Sequence, residues 1–198
     1  MIVVIAPEVD IDHELEILHG LFNAGLGVFH LRKPEKSKRE IEMYLNQIDK
    51  RFHASVVVHH FHEMTADFGL KGIHLQEQTR LNLGLELDSY VAKLRAKGFT
   101  VSSSFHEVEE LEACAAHFDY HLLSPVFSSI SKEGYNGRGF DVTNSKKKII
   151  GMGGVNEDTI PKIKQLGYSG IGILGGIWNS PDPLQAFLKM QEKYASND

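Results

Sequence analysis

Apolar residues along this chain gather in short, unbroken runs: IVVIA (2–6), LGVFHL (26–31), SVVVHH (55–60), GIHL (72–75), FTVS (99–102), YHLLSPVF (120–127), KIIGMGG (148–154) and GIGIL (170–174). Continuous rather than alternating apolar segments are the pattern of parallel strands covered on both faces. Between the runs the period becomes helical. Ile11, Leu15, Leu18 and Phe22 share one face, as do Ile41, Leu45, Ile48 and Phe52, then Leu87, Val91 and Leu94, then Val108, Leu111 and Ala115. Start signals agree: Ser37 with Glu40 and Ser104 with Glu107 have capping-box spacing, and Ser180 before Pro181 has the form of an N-cap with proline at N1. Asn156 is expected to cap a further helix, with Gly167 past its end. Eight strands in a βα alternation predict an α/β fold, a small single-domain (β/α)₈ TIM barrel over residues 1–198, with the helix after strand 6 shortened to a turn or two around FDVTNSKKK. An open doubly wound sheet is the alternative.

Composition narrows the class of ligand. With 198 residues, 42% of them hydrophobic, the chain can bury one sizeable core. A formal charge of -5 supplies no broad positive field for nucleic acid or an anionic membrane, so a small molecule is the expected partner. Cys114 is the one cysteine, which excludes a disulfide framework or thiolate cluster and suits a reducing, cytoplasmic setting. The opening MIVVIAPEVD reads as a first strand rather than a leader, and no run reaches the length of a membrane span. The oligomeric state stays open, a homo-oligomer included.

In either architecture ligands bind at the carboxyl ends of the strands. Gly153-Gly154 follows the seventh run and Gly175-Gly176 the eighth, each shortly before an expected helix. Glycine lets backbone N–H groups approach an anion closely, so the two pairs together read as a phosphate cup; each alone also fits a tight βα turn. The segment SPVFSSISKEGYNGRGF (124–140), with Ser129, Lys132 and Arg138, has the composition of a lid over phosphate, or of a solvated surface loop. HLRKPEK brings His30, Arg32, Lys33 and Lys36 to the rim, where Arg32 could clamp a phosphate or pair with a carboxylate.

These residues resemble the thiamine phosphate synthase family, including its TenI-type thiazole tautomerase branch. HLR (30–32) is similar to the family's QLR, GIHLQE (72–77) to GVHLGQ, and SFHEVEEL (104–111) to S-[TC]-H followed by LEEA. DYHLLSPVFSSISK (119–132) resembles DYVxxGPVFxTxxK, and GMGGV (151–155) and GIGILGGI (170–177) resemble AIGGI and GVAVVSAI. The order of the motifs carries the resemblance across nearly the whole chain. It implies a (β/α)₈ barrel that joins hydroxymethylpyrimidine pyrophosphate to thiazole phosphate, releasing pyrophosphate with the help of Mg2+. It implies that Arg32 and Lys132 are leaving-group cations, that Gly153, Gly154, Gly175 and Gly176 grip the thiazole phosphate, and that His30, Ser104, Ser129 and Arg138 are substrate or lid contacts. His74 and His106 also match family positions, with a structural role equally open to each.

Five departures qualify this. The family's glutamine after strand 2 is His30, and its lysine two positions after the arginine is Pro34, which leaves Lys33 or Lys36 to substitute. The synthase Asn-Asp after strand 3, whose Asp helps to hold magnesium, falls on His59-His60; the nearest carboxylate after GIHL is Glu77, with Thr79 at the expected place. Imidazole is a poor exchange for an oxygen ligand of Mg2+, so the site is an altered one and no metal ligand is assigned if synthase chemistry is lost. GYNGRG (134–139) resembles the tautomerase branch's GxxGRG, yet that branch's histidine after strand 6 falls on Pro125; His121 shares its strand parity and is expected to point inward, deeper in the barrel.

His59 and His60 are therefore candidates for ligand contact or acid–base work, for filling the barrel mouth, or for a transition-metal site to which His30 or His74 could contribute. His62 is expected in the next helix's first turn. Three functions follow: an enzyme of thiamine biosynthesis, synthase or tautomerase; a barrel that binds thiazole phosphate or thiamine phosphate without turnover; or an unrelated barrel isomerase with a metal at His59-His60.

Overall fold

The computed structural model describes residues 1–128 and 137–196. Eight parallel strands close into a barrel in sequence order, each paired with its neighbours and the last with the first. They are β1 (Ile2–Ile5), β2 (Phe29–Leu31), β3 (Val56–Val58), β4 (Gly72–Leu75), β5 (Thr100–Phe105), β6 (Tyr120–Leu123), β7 (Ile149–Met152) and β8 (Gly170–Ile173). The open sheet is excluded by the pairing of Val3 with Gly172 across the β1–β8 seam.

Helices α1 (Glu14–Asn23), α2 (Lys38–Gln47), α3 (Met64–Asp67), α4 (Glu77–Leu83), α5 (Leu87–Ala96), α6 (Val108–Ala113), α7 (Ile160–Gln165), α8 (Gly175–Trp178) and α9 (Pro183–Ala195) surround it. No helix separates β6 from β7 among the described residues, in line with the shortened element expected there. Ser37 and Glu40 form the expected capping box. Ser104 does not cap a helix, because β5 runs on to Phe105 and α6 begins only after Glu107. The last helix starts two residues later than expected, since the Asp182 carboxylate accepts from the Gln185 amide and Pro183 takes the first turn. The Asn156 side chain does accept from the amides of Asp158 and Thr159 ahead of α7, and Gly167 ends that helix with φ +86°.

Strand alternation sorts the side chains into two layers. Val4, Phe29, Val58, Ile73, Val101, Leu123 and Ile171 face outward and join the main core under the helices. Val3, Ile5, Val28, Val57, Tyr120, Leu122 and Ile150 fill the interior. Gly72 belongs to this close packing: a Cβ there would lie 1.9 Å from the Thr100 carbonyl oxygen of the adjacent strand, so any larger residue pushes β4 from β5.

His121 faces outward, contrary to the parity argument from Pro125, because Tyr120 and Leu122 take the inward positions of β6. It packs between Phe105 and Phe118 and donates from Nδ1 to the Lys148 carbonyl. Burial, partly offset by that hydrogen bond, lowers its pKa to about 4; Lys147, Glu112 and His117 supply smaller effects. The unfolded chain takes up a proton near pH 6.5, and the folded one only near pH 4. The stabilisation is therefore complete above pH 6.5 and lost as the pH falls from there to about 4, at most about 3 kcal/mol. His121→Phe leaves the Lys148 carbonyl its backbone donor, the His121 amide. Urea unfolding between pH 7 and 4.5 should show a shallower loss in this variant than in the parent; equal slopes would refute the assignment.

Candidate functional site

The carboxyl ends of the strands open on a cavity of about 700 Å³ whose lining includes Glu8, Arg32, His59, Glu77, Ser104, His106 and both glycine pairs. A second hollow, about 460 Å³, lies outside the barrel between α1 and α2. The mouth cavity has the size of a small-ligand site.

On one side Gly153 and Gly154 leave β7 with φ of +92° and +64°, and Gly175 and Gly176 open α8 after β8. A Cβ at Gly154 would lie 2.5 Å from the Ser128 carbonyl, so the turn itself demands glycine. Among the described residues, none of the four N–H groups donates to a backbone or side-chain acceptor. Four unspent amides on one wall are what an anionic group requires.

The floor is polar. His30 on β2, His59 just beyond β3 and His74 on β4 project inward, each buried, with ring centroids 4.3 to 5.1 Å apart. His30 Nδ1 lies 2.9 Å from His59 Nε2, and His30 Nε2 lies 2.6 Å from the Tyr120 hydroxyl. His74 bridges two hydroxyls, Ser102 at 2.8 Å and Ser104 at 2.6 Å. His59 Nδ1 is buried with no partner among the described residues. Burial lowers all three pKa values, that of His30 to about 3, with mutual repulsion adding to the effect at His59 and His74. These imidazoles are neutral at physiological pH.

His30 was expected at the rim but lies beneath the cavity, because β2 carries it inward below His59 and Tyr120 covers its other nitrogen. His59 reaches the cavity wall; His60, next along the chain, turns away from it and does not line it. His62 sits ahead of α3, its ring held between the Tyr90 hydroxyl and the His59 carbonyl. Ser104 lines the cavity while bound to His74.

The cations are largely engaged. Arg32 lines the cavity and is ion-paired with Glu8. Lys33 is fully buried against Glu14 and Lys36 pairs with Asp10, so neither replaces a substrate-facing lysine. Arg138 is held by both Glu107 carboxylate oxygens and stacks over Phe140, outside the cavity lining. Ser129 and Lys132, together with the start of GYNGRG, lie outside the described residues.

Sequence reasoning gave His106 no distinct role, yet it is the partly exposed imidazole of the cavity. The carbonyl of Ser124 can only accept, so at 2.9 Å it fixes the proton on Nδ1 and leaves Nε2 as a base, 3.8 Å from Glu77. The motif SFHE places this histidine just past the end of β5, which is the signal that could have found it.

The thiamine monophosphate synthase family model matches residues 1–177 of the chain. The chain belongs to that family. Among curated relatives, thiamine-phosphate synthase of Dictyoglomus turgidum is 22% identical over 179 residues, covering 85% of this chain and 77% of that protein. The enzyme of that name from Listeria monocytogenes is 24% identical over 183 residues, covering 84% and 82%. Of solved structures, thiamine phosphate pyrophosphorylase from Bacteroides thetaiotaomicron is 28% identical with a TM-score of 0.75, covering 100% of this chain and 98% of that one. A protein of that name from Pyrococcus furiosus, at 17% identity, shares the fold with a TM-score of 0.77 over 98% and 94%.

Family membership brings magnesium into question. Mg2+ takes oxygen ligands, whereas the end of β3 presents imidazole. The two cavity carboxylates are already paired, Glu8 with Arg32 and Glu77 with Arg80. Among the described residues the one cluster of three potential ligands is all histidine. This donor set does not suit Mg2+.

Proposed function

We propose that the protein binds a thiazole phosphate in the mouth cavity, with the phosphate on the amides of Gly153, Gly154, Gly175 and Gly176, and moves a proton on the ring through His106. The observation that carries this reading is the pairing in one cavity of four unspent amides with an imidazole whose Nε2 is free to act as a base. Glu77 stabilises the imidazolium once a proton is taken, and Nε2 can return that proton to another ring atom. No pyrophosphate departs in this reaction, so no oxygen-ligated magnesium is required. Synthase chemistry is the second reading, favoured by the family match and by the names of the curated relatives.

One experiment with two arms separates them. In the first, the protein meets the thiazole carboxylate phosphate tautomer with chelator present, and conversion is followed by proton NMR. In the second it meets hydroxymethylpyrimidine pyrophosphate, thiazole phosphate and Mg2+, and pyrophosphate release is measured. Conversion in the first arm alone is the expected result. Pyrophosphate release would overturn proton transfer in favour of the synthase, and binding without turnover in either arm would leave a non-catalytic barrel.

A further inference from the structure

We propose that His30, His59 and His74 form a binding site for one divalent first-row transition ion, zinc(II) by donor preference, at the floor of the mouth cavity. Each histidine offers one ring nitrogen, and the three nitrogens lie within 4.8 Å of one another. Three imidazole ligands on a tetrahedral zinc ion, at metal–nitrogen distances near 2.05 Å, place their nitrogens about 3.3 Å apart. Side-chain torsions on three adjacent strands suffice to close that difference, and His30 and His59 already approach to 2.9 Å.

The hydrogen bonding around the cluster is incomplete. Only one proton can lie between His30 Nδ1 and His59 Nε2. If His30 donates it, His59 carries its own proton on Nδ1, buried without an acceptor; if His59 donates it, Nδ1 is a bare lone pair buried without a donor. Either arrangement leaves a buried polar atom unmet, at a cost of about 1–3 kcal/mol. Coordination through His30 Nδ1 and His59 Nε2 would replace the shared proton with a cation, His59 keeping its own proton on Nδ1 as it does when His30 donates.

The surroundings have the character of a ligand-orienting shell. The Tyr120 hydroxyl holds one nitrogen of His30, and the hydroxyls of Ser102 and Ser104 hold the two nitrogens of His74, so one of them keeps its hydrogen bond when the other nitrogen binds metal. Among the described residues no carboxylate joins the cluster, so three neutral ligands leave the ion's charge to be met by a hydroxide or an anionic ligand group. His59 borders the cavity, so the cluster adjoins the space where a substrate would lie.

This inference goes beyond the proton-transfer reading and needs no substrate for its test, so the two can fail separately. Chelator-dialysed full-length protein is titrated with Zn2+ by calorimetry. In parallel, Co2+ is added and the visible absorption of a tetrahedral cobalt centre is recorded. One equivalent of Zn2+ should bind, unaffected by excess Mg2+, and Co2+ should give the intense band of a four-coordinate site. His59→Gln and His74→Gln should each weaken Zn2+ binding by about 100-fold or more, while His13→Gln, at the exposed start of α1, should leave it unchanged. Should either cluster variant fail to fold, the cobalt spectrum of the parent protein decides the matter. An octahedral spectrum, less than a tenth of an equivalent of zinc, or equal binding by folded cluster variants would overturn the site.

Discussion

Replacing Lys33 with methionine is expected to destabilise the protein by about 3–5 kcal/mol. The Lys33 ammonium is wholly withdrawn from solvent and donates to Glu14 at 2.6 Å and to the Val9 carbonyl at 3.1 Å; Asp10 lies 3.2 Å away. Glu14 is itself buried, and its other oxygen accepts from Tyr44 at 2.7 Å. Methionine fills much of the same volume but leaves the buried Glu14 carboxylate with the Tyr44 hydroxyl as its hydrogen-bond partner. For a chain of this size the loss corresponds to a fall in Tm of about 6–20 °C. Lys33→Met combined with Glu14→Gln removes the stranded charge and should recover at least about half of the loss, because the two residues act as one unit. Thermal unfolding of the parent, both single variants and the double variant measures the coupling, and additive losses would refute it.

His106→Ala should lower kcat for tautomer conversion by about 10²–10⁴-fold, the usual contribution of a positioned acid–base group. KM should change little, because the phosphate amides hold the substrate independently of the imidazole. Imidazole added to the assay should restore part of the lost rate, a recovery that a merely structural histidine would not show. Glu77→Gln should cost less, since it removes stabilisation of the imidazolium and leaves the proton carrier in place. Unchanged turnover in His106→Ala would remove this residue from the reaction.

The barrel was legible because parallel strands buried on both faces leave continuous apolar runs, and their order along the chain sets their order in the sheet. The glycine wall of the cavity was legible as well, since tight turns announce themselves as glycine pairs at two successive strand ends. The imidazole floor was harder. His30 and His74 each sit one position before an outward leucine, in FHL and IHL, so their inward direction follows from parity; their meeting with His59 depends on strand register, which one sequence does not reveal. Lys33 misled for another reason. A lysine after a strand reads as a rim cation, and only the approach of α1 and α2 encloses it. At Ser104 a capping-box spacing happened to straddle the end of a strand, and strand pairing took precedence.

The ion pair between Glu8 and Arg32 gives the cavity an occupant of its own. A carboxylate tethered beside the guanidinium competes with every anion that arrives, at an effective concentration set by the fold rather than by the solution. Small anions such as chloride or acetate have little with which to outbid it. On the proposed reading, a phosphate ester held at the glycine amides would compete from within the same cavity, so Arg32 would be surrendered to ligands already gripped there. The pair would then filter by the number of attachment points a ligand has, and make anion binding at Arg32 conditional on the rest of the molecule.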